Sequence, residues 1–196
     1  MNILFFDTET TGLPKNYKAP VTDLENWPRL VQLGYIAYET DGIEVFKSTE
    51  QEYIIAPVGF TISEQVSKIH GVTQEKAMTE GLNLTQVLSA FYVMVNDWAD
   101  VLVGHNLSYD LNIMGAEFLR AGSPNPFIGK KTIDTMLSSM NYCNLPGGFG
   151  GKPKWPKLHE LYQKLFNEPL AQTHTALDDI QNTAKCYFEL KRLGIV

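Results

Sequence analysis

Acidic residues and histidines recur in three segments that lie far apart along this chain. They are Asp7 and Glu9, then His105 and Asp110, then His174 and Asp179. Asp7 and Glu9 are two residues apart, so on a strand both side chains leave the same face. Burying two carboxylates on one face is costly unless a positive group lies beside them.

Each segment taken alone also has an ordinary structural interpretation. The first acidic pair fits a strand end that becomes polar where it meets solvent. Asp110 is also consistent with an acid that interacts favourably with the N-terminal end of a helix dipole. His105 is also consistent with a core histidine whose hydrogen bonds are satisfied. The segment from His174 to Asp179 fits a capped helix with solvated acids.

Taken together, the three segments predict metal-assisted hydrolysis. Oxygen ligands from four carboxylates suit Mg²⁺ or Mn²⁺, whereas sets rich in histidine and cysteine suit zinc. Two such ions can activate a water molecule and stabilise the leaving oxygen of a phosphodiester. A histidine that titrates near neutral pH can accept the proton from that water.

Apolar runs and turn residues predict which elements position these groups. Strands are predicted at residues 2–7, 30–39, 52–56 (the end of a strand), 101–103 and 132–134. Helices are predicted at residues 63–69, 83–98, 108–121, 156–166 and 175–193. Three β-runs followed by alternating helices and strands indicate a mixed α/β sheet, and residues 1–196 form a single predicted domain. The Gly- and Pro-rich stretch 141–156 is predicted to be a mobile loop over a site.

Composition limits the classes of protein that fit this chain of 196 residues. The formal net charge of −6 argues against a protein that binds nucleic acid over a broad basic surface. It does not argue against an enzyme that binds nucleic acid through metal ions. Cys143 and Cys186 form no CxxC motif and are interpreted as reduced thiols. No signal peptide and no membrane-length apolar stretch is recognised, so we expect a cytoplasmic protein without membrane contact.

Three motifs in register resemble one known family. They are Phe-Asp-Thr-Glu-Thr-Thr-Gly-Leu at residues 6–13, Gly-His-Asn with Tyr-Asp at residues 104–110, and His-Thr-Ala-Leu-Asp-Asp at residues 174–179. The chain is similar, from residue 3 to about 193, to the DEDDh (DnaQ-like) 3′→5′ exonucleases, whose third motif is His-x-Ala-x-x-Asp.

This resemblance implies a ribonuclease H-like fold, with a five-stranded mixed sheet flanked by helices. It also implies five catalytic residues: Asp7, Glu9, Asp110 and Asp179 would hold two Mg²⁺ or Mn²⁺ ions, and His174 would be the general base. The sister DEDDy group has a tyrosine where this chain has Thr175, which favours the histidine branch.

The resemblance further implies substrate-binding roles for Thr10, Leu13, His70 and Asn106. Leu13 resembles an apolar residue that wedges near the terminal base, and His70 resembles a histidine beside the terminal nucleotide. The alternatives are that Leu13 lies in the core and that His70 caps a short helix. Asp134 is interpreted as structural.

The function predicted on these grounds is removal of nucleoside 5′-monophosphates from single-stranded 3′ ends of DNA. The same chemistry on RNA, a catalytically silent nucleic-acid-binding module, and an endonuclease of ribonuclease H type are the alternatives. The His-x-Ala-x-x-Asp motif disfavours the last. A polymerase or another replication or repair protein is a possible partner. The long stretch 14–29 and the end at Val196 favour a free-standing enzyme or one held by a surface contact.

Overall fold

A computed structural model describes residues 1–170 and 175–196. The strands are β1 (Asn2–Thr10), β2 (Leu30–Thr40), β3 (Val45–Ile54), β4 (Val101–Gly104) and β5 (Thr132–Asp134). The helices are α1 (Glu64–His70), α2 (Gln74–Glu80), α3 (Leu84–Val93), α4 (Leu107–Arg120), α5 (Thr135–Cys143), α6 (Leu158–Phe166) and α7 (Ala176–Arg192).

The five strands form one mixed sheet in the order β3-β2-β1-β4-β5. The first three pair antiparallel, whereas β1, β4 and β5 run parallel. The carboxyl ends of β1 and β4 therefore meet at the same edge, and α4 begins just after β4. Mixed topology and five strands confirm the predicted fold class.

Helices cover both faces of the sheet because the buried strands carry apolar side chains on both sides. On one face, Leu4 and Phe6 of β1 share a core with α3 and α4. On the other, Ile3 and Phe5 share a core with residues of α7. The helices α5 and α6 pack beside α7 in a further cluster that includes both cysteines.

Several predicted boundaries differ from the observed ones. Strand β1 continues to Thr10, so Asp7 and Glu9 lie inside it. Two helices, α2 and α5, were not predicted. Because α5 extends to Cys143, the loop predicted over residues 141–156 starts at Asn144. The predicted helix over 83–98 changes after Val93 into a wider π turn, in which Ala99 N–H donates to the carbonyl of Met94.

The long stretch between β1 and β2 is anchored by a buried carboxylate. Oε1 of Glu117 accepts from Nε of Arg29 at 2.8 Å, from an Arg120 guanidinium nitrogen at 2.9 Å and from Leu30 N–H at 3.0 Å. The Arg120 guanidinium also donates to the carbonyls of Leu24 and Trp27. This network fixes a segment that the sequence marks only as long. Among the described residues, no helix has the length and apolarity needed to cross a membrane.

Candidate functional site

Alternation along β1 sends its polar side chains to two different faces. Asp7 and Glu9 lie on the face of Ile3 and Phe5, which packs on α7. Thr8 and Thr10 lie on the opposite face, where Phe6 packs with α3 and α4. The carboxyl end of β1 therefore presents polar side chains on both faces of the sheet, towards α7 on one face and towards α3 and α4 on the other.

Three carboxylates meet at this strand end. Asp7, Glu9 and Asp179 each offer a ligand oxygen, and these oxygens all lie within 4.8 Å of one another. Asp179 comes from the first turn of α7, across a sequence separation of more than 160 residues. Oxygen atoms at this spacing could hold a divalent cation such as Mg²⁺ or Mn²⁺.

The fourth predicted acid, Asp110, approaches from the α4 side of the sheet and is buried. Its Oδ1 accepts two hydrogen bonds from Thr8, one from the backbone N–H at 2.9 Å and one from the hydroxyl at 2.7 Å. Thr8 thus ties the carboxylate of α4 to the strand that carries Asp7 and Glu9.

The acids raise one another's pKa values. Burial raises the pKa of Asp7 well above its usual range, and the charges of Asp110, Glu9 and Asp179 raise it further. Burial, with Asp179 and then Asp110, raises the pKa of Glu9 to about 8. Burial also raises the pKa of Asp110 to about 7, although the two Thr8 hydrogen bonds oppose that shift. The site therefore holds more negative charge than its own residues compensate, as a cation site should.

Close packing of α7 on the sheet brings Asp179 to the strand end. Gly34 of β2 pairs with Asp7 in the antiparallel register. A methyl group on Gly34 would lie 2.7 Å from Cδ1 of Ile180 and 3.2 Å from Cβ of Ala176. Because Gly34 has no side chain and Ala176 a small one, the first turn of α7 can lie against the sheet beside Asp7.

A cavity of about 650 Å³ adjoins the acidic cluster. Its lining includes Glu9 and all four residues predicted to bind substrate, Thr10, Leu13, His70 and Asn106. Tyr17, Val66, Ile69 and Tyr109 also line it, and the sequence analysis did not select these residues. Apolar lining beside a charged cluster is typical of a site that binds part of its ligand by packing.

Leu13 is 74% exposed at this cavity, so its interpretation as a core residue is wrong. A hydrogen-bonded turn presents it. The Thr10 hydroxyl lies 2.6 Å from the Gly12 carbonyl and 2.8 Å from the Tyr109 hydroxyl, and the Tyr109 hydroxyl lies 3.0 Å from the same carbonyl. Thr10 and Tyr109 therefore fix the turn from which Leu13 projects.

His70 ends α1 and is buried against the cavity. Its Nδ1 accepts from the backbone N–H of Val72 at 3.1 Å, so the neutral ring carries its hydrogen on Nε2. Burial lowers the pKa of His70, and the backbone of Thr10 partly offsets that effect. The ring thus lies where α1 ends, in the cavity lining that also includes Thr10 of β1.

His105 and Asp134 are structural in this fold, as the sequence analysis considered for both. Nε2 of His105 donates to the carbonyl of Pro156 at 3.0 Å, and its Nδ1 lies 3.0 Å from the Thr135 hydroxyl. Oδ1 of Asp134 accepts from the backbone N–H of Asn106 and from the first turn of α5. Asn106 itself adopts a left-handed conformation, with φ of 66°, at the start of α4.

His174, the predicted general base, lies outside the described residues. Its neighbour Thr175 caps α7 through a hydrogen bond from Asp178 N–H. Besides Val66 and Ile69 of the cavity lining, the sequence analysis missed Thr8, Gly34, Tyr17 and Tyr109. Thr8 and Tyr109 lie inside the first and second motifs, so their positions could have indicated a role. No local sequence pattern distinguishes Gly34 or Tyr17 from other residues.

Comparison with known proteins places this geometry in a family. Residues 4–187 match the family model RNase_T, described as an exonuclease. The chain is also 28% identical over 191 residues to a "DNA polymerase III PolC-type" of Pediococcus pentosaceus. That alignment covers 96% of this chain and 11% of the polymerase.

Solved structures share the fold. Escherichia coli exonuclease I in complex with an oligonucleotide superposes with a TM-score of 0.70 at 18% identity, covering 97% of this chain and 41% of that one. The zinc-bound form of its complex with single-stranded DNA superposes with a TM-score of 0.72, covering 97% and 40%. At this identity the likeness establishes the fold, and the chain spans less than half of that protein.

The family match covers nearly the whole chain, and the exonuclease I structures superpose on its five-stranded mixed sheet and flanking helices over 97% of the chain. The chain therefore belongs to the RNase_T family of DnaQ-like 3′→5′ exonucleases, with a ribonuclease H-like fold, as its three motifs indicated.

Proposed function

We propose that this chain hydrolyses phosphodiester bonds at the 3′ end of single-stranded DNA with two divalent metal ions. It would release nucleoside 5′-monophosphates, with His174 as the general base. One observation carries the proposal: the carboxylates of Asp7, Glu9 and Asp179 converge within 4.8 Å at the edge of a cavity of about 650 Å³.

The residues fit Mg²⁺ or Mn²⁺. The clustered ligand atoms are carboxylate oxygens, and the raised pKa values of Asp7, Glu9 and Asp110 are those of acids that lack a nearby positive charge. Asp7, Glu9, Asp110 and Asp179 would hold the ions. When bound, two ions would supply Lewis-acid stabilisation of the phosphate charge and a water of lowered pKa.

The chain's own residues would supply positioning and proton transfer. His174 precedes Thr175, the N-cap of the helix that carries Asp179, and would accept the proton of the attacking water. Leu13, exposed at the cavity, would pack against the terminal base. Thr10 would act through the turn that presents Leu13, and His70 and Asn106 would line the place of the terminal nucleotide.

Two relatives support the choice of substrate and partner. Two of the similar exonuclease I structures are complexes with a dA16 oligonucleotide and with single-stranded DNA, which supports DNA rather than RNA as the substrate. The alignment to a polymerase of PolC type supports a replication polymerase as a partner.

The test is hydrolysis of 5′-labelled oligonucleotides in Mn²⁺, resolved on a denaturing gel. We expect a ladder that shortens from the 3′ end, mononucleotide products, and slower cleavage when a 3′-phosphate replaces the 3′-hydroxyl. Asp179→Asn is the matched control and should show no ladder. Internal cuts in a circular strand would disprove exonuclease action, and faster cleavage of matched RNA would redirect the proposal to RNA.

A further inference from the structure

The loop between α5 and α6 exposes two aromatic side chains at one cavity. Phe149 is 100% exposed and Trp155 is 63% exposed. Both line a cavity of about 670 Å³, together with Met140, Lys152 and Lys154. Single exposed apolar residues are common, but two large aromatic rings that share a cavity form a patch typical of binding surfaces. We call residues 148–157 the aromatic loop.

The aromatic loop has a defined closed conformation. A methyl group on Gly148 would lie 2.2 Å from the carbonyl oxygen of Lys152 and 2.4 Å from that of Pro153, so only glycine permits this approach. The backbone N–H of Lys154 donates to the carbonyl of Leu145 at 2.9 Å. These contacts hold the backbone of the loop, whereas the side chains of Phe149 and Trp155 are largely exposed.

One contact joins the aromatic loop to the candidate site. The carbonyl of Pro156, next to Trp155, accepts from Nε2 of His105 at 3.0 Å. His105 is followed directly by Asn106, which lines the cavity beside the acids. The aromatic loop is therefore hydrogen-bonded to the residue that precedes Asn106 of the cavity lining.

The aromatic loop is also locally basic in a chain whose net charge is −6. Lys154 pairs with Glu160 at 2.6 Å. Lys152 and Lys157 are exposed, and neither forms an ion pair within residues 1–170 or 175–196. Two unneutralised lysines beside two exposed aromatic rings match the chemistry of a single nucleic-acid strand, which offers alternating bases and phosphates.

We propose that the aromatic loop binds the substrate strand on the 5′ side of its terminal nucleotide. Phe149 and Trp155 stack on bases, and Lys152 and Lys157 face phosphates. This inference rests on the proposed exonuclease function and extends it to a second contact region, which would favour long single strands over very short ones without reading their sequence.

The test compares a long and a minimal substrate. The double variant Phe149→Ala/Trp155→Ala is assayed on a single-stranded oligonucleotide of about twenty nucleotides and on the p-nitrophenyl ester of thymidine 5′-monophosphate, which is too small to reach the loop. We expect the ratio of the two KM values, long over minimal, to rise about tenfold, as loss of base stacking predicts. Ile128→Ala removes another exposed apolar side chain, 83% exposed, and should leave the ratio as in wild type.

Binding provides an independent readout if the double variant loses its fold. Affinity of the single variant Lys152→Ala for a fluorescent oligonucleotide is measured by anisotropy in chelator at several salt concentrations. The slope of log affinity against log salt should become shallower by roughly one phosphate contact.

Three results would overturn the inference. An unchanged KM ratio with an unchanged salt slope would show that the strand does not touch this loop, although the exonuclease function would stand. Tighter binding of duplex than of single-stranded DNA would show that a single strand is not the ligand of the aromatic loop. A wild-type protein that cleaves neither substrate would remove the proposed function and this inference together.

Discussion

The Asp110 carboxylate accepts both the backbone N–H and the side-chain hydroxyl of Thr8, at 2.9 and 2.7 Å, across a separation of 102 residues. Thr8 stands between two proposed metal ligands and holds a third. Its hydroxyl favours the charged form of Asp110 and opposes the burial that raises this acid's pKa to about 7.

We therefore expect Thr8→Val, which removes the hydroxyl at nearly constant volume, to weaken Mn²⁺ binding about tenfold. The pKa of Asp110 should rise further because one of its two donors is lost. The acidic limb of the pH–kcat/KM profile should then move to higher pH. Calorimetric titration with Mn²⁺ and the pH profile check this, and Thr8→Ser, which keeps the hydroxyl, is the control.

Removing one acid should separate activity from stability. Asp7→Asn should abolish hydrolysis but raise the Tm measured in chelator, because it removes one of the mutually repelling buried charges. It should also shrink the Tm gain on adding Mn²⁺. Melting curves of wild type and variant, each with chelator and with Mn²⁺, decide the matter. A lower Tm in chelator together with an undiminished Mn²⁺ gain would contradict the acidic cluster.

Stability of the metal-free protein should fall as pH rises. The pKa of Glu9 is about 8 in the folded chain, against 4.5 as its ordinary value, and that of Asp110 is about 7 against 3.8. The folded state thus binds more protons than the unfolded state between these limits, so the free energy of unfolding decreases with pH there. We expect the Tm in chelator to drop by roughly 10–20 °C from pH 5 to pH 8. Saturating Mn²⁺ should flatten this slope, and a slope of the opposite sign would contradict the raised pKa values.

Gly34→Ala should damage the site without touching an acid. Its new methyl group would meet Cδ1 of Ile180 at 2.7 Å and Cβ of Ala176 at 3.2 Å, so the Ile180 side chain must turn away and the first turn of α7, which carries Asp179, must shift by a few tenths of an ångström. Overpacking of this kind costs about 1–3 kcal/mol of stability, and we expect weaker Mn²⁺ binding as well. Ile180→Val in the Gly34→Ala background, which shortens the contacting side chain, should restore part of both losses. Wild-type Mn²⁺ affinity in Gly34→Ala would show that α7 does not depend on this approach.

His174→Ala should lower kcat by about 10²- to 10⁴-fold while leaving metal binding in place, because the role proposed for this residue is proton transfer. Metal affinity should depend on the carboxylates instead. Calorimetry with Mn²⁺ on His174→Ala and on Asp179→Asn separates the two roles. Loss of Mn²⁺ binding in His174→Ala would make the histidine a ligand rather than the base.

The sequence alone determined the class of fold and which acids are candidate metal ligands. Apolar runs of strand length and helical periodicity predict an α/β sheet, because burial requires those patterns whatever the neighbouring elements are. The spacing of Asp7 and Glu9 places both on one face of a strand for the same local reason. The helices α2 and α5 escaped prediction because each is short and lacks a strong apolar period; α5 is instead started by the Asp134 cap.

The tertiary structure alone decided which partners those residues have. Asp179 lies beside Asp7 because α7 packs closely on Gly34 of β2, which has no side chain to keep the helix away. The donors to Asp110 come from Thr8, and the left-handed start of α4 at Asn106 is held by Asp134. Likewise, Tyr17 reaches the cavity from a segment that the buried Glu117 anchors. These are contacts between residues distant in sequence, and no local pattern contains them, because they arise only when the sheet and its two helix layers pack together.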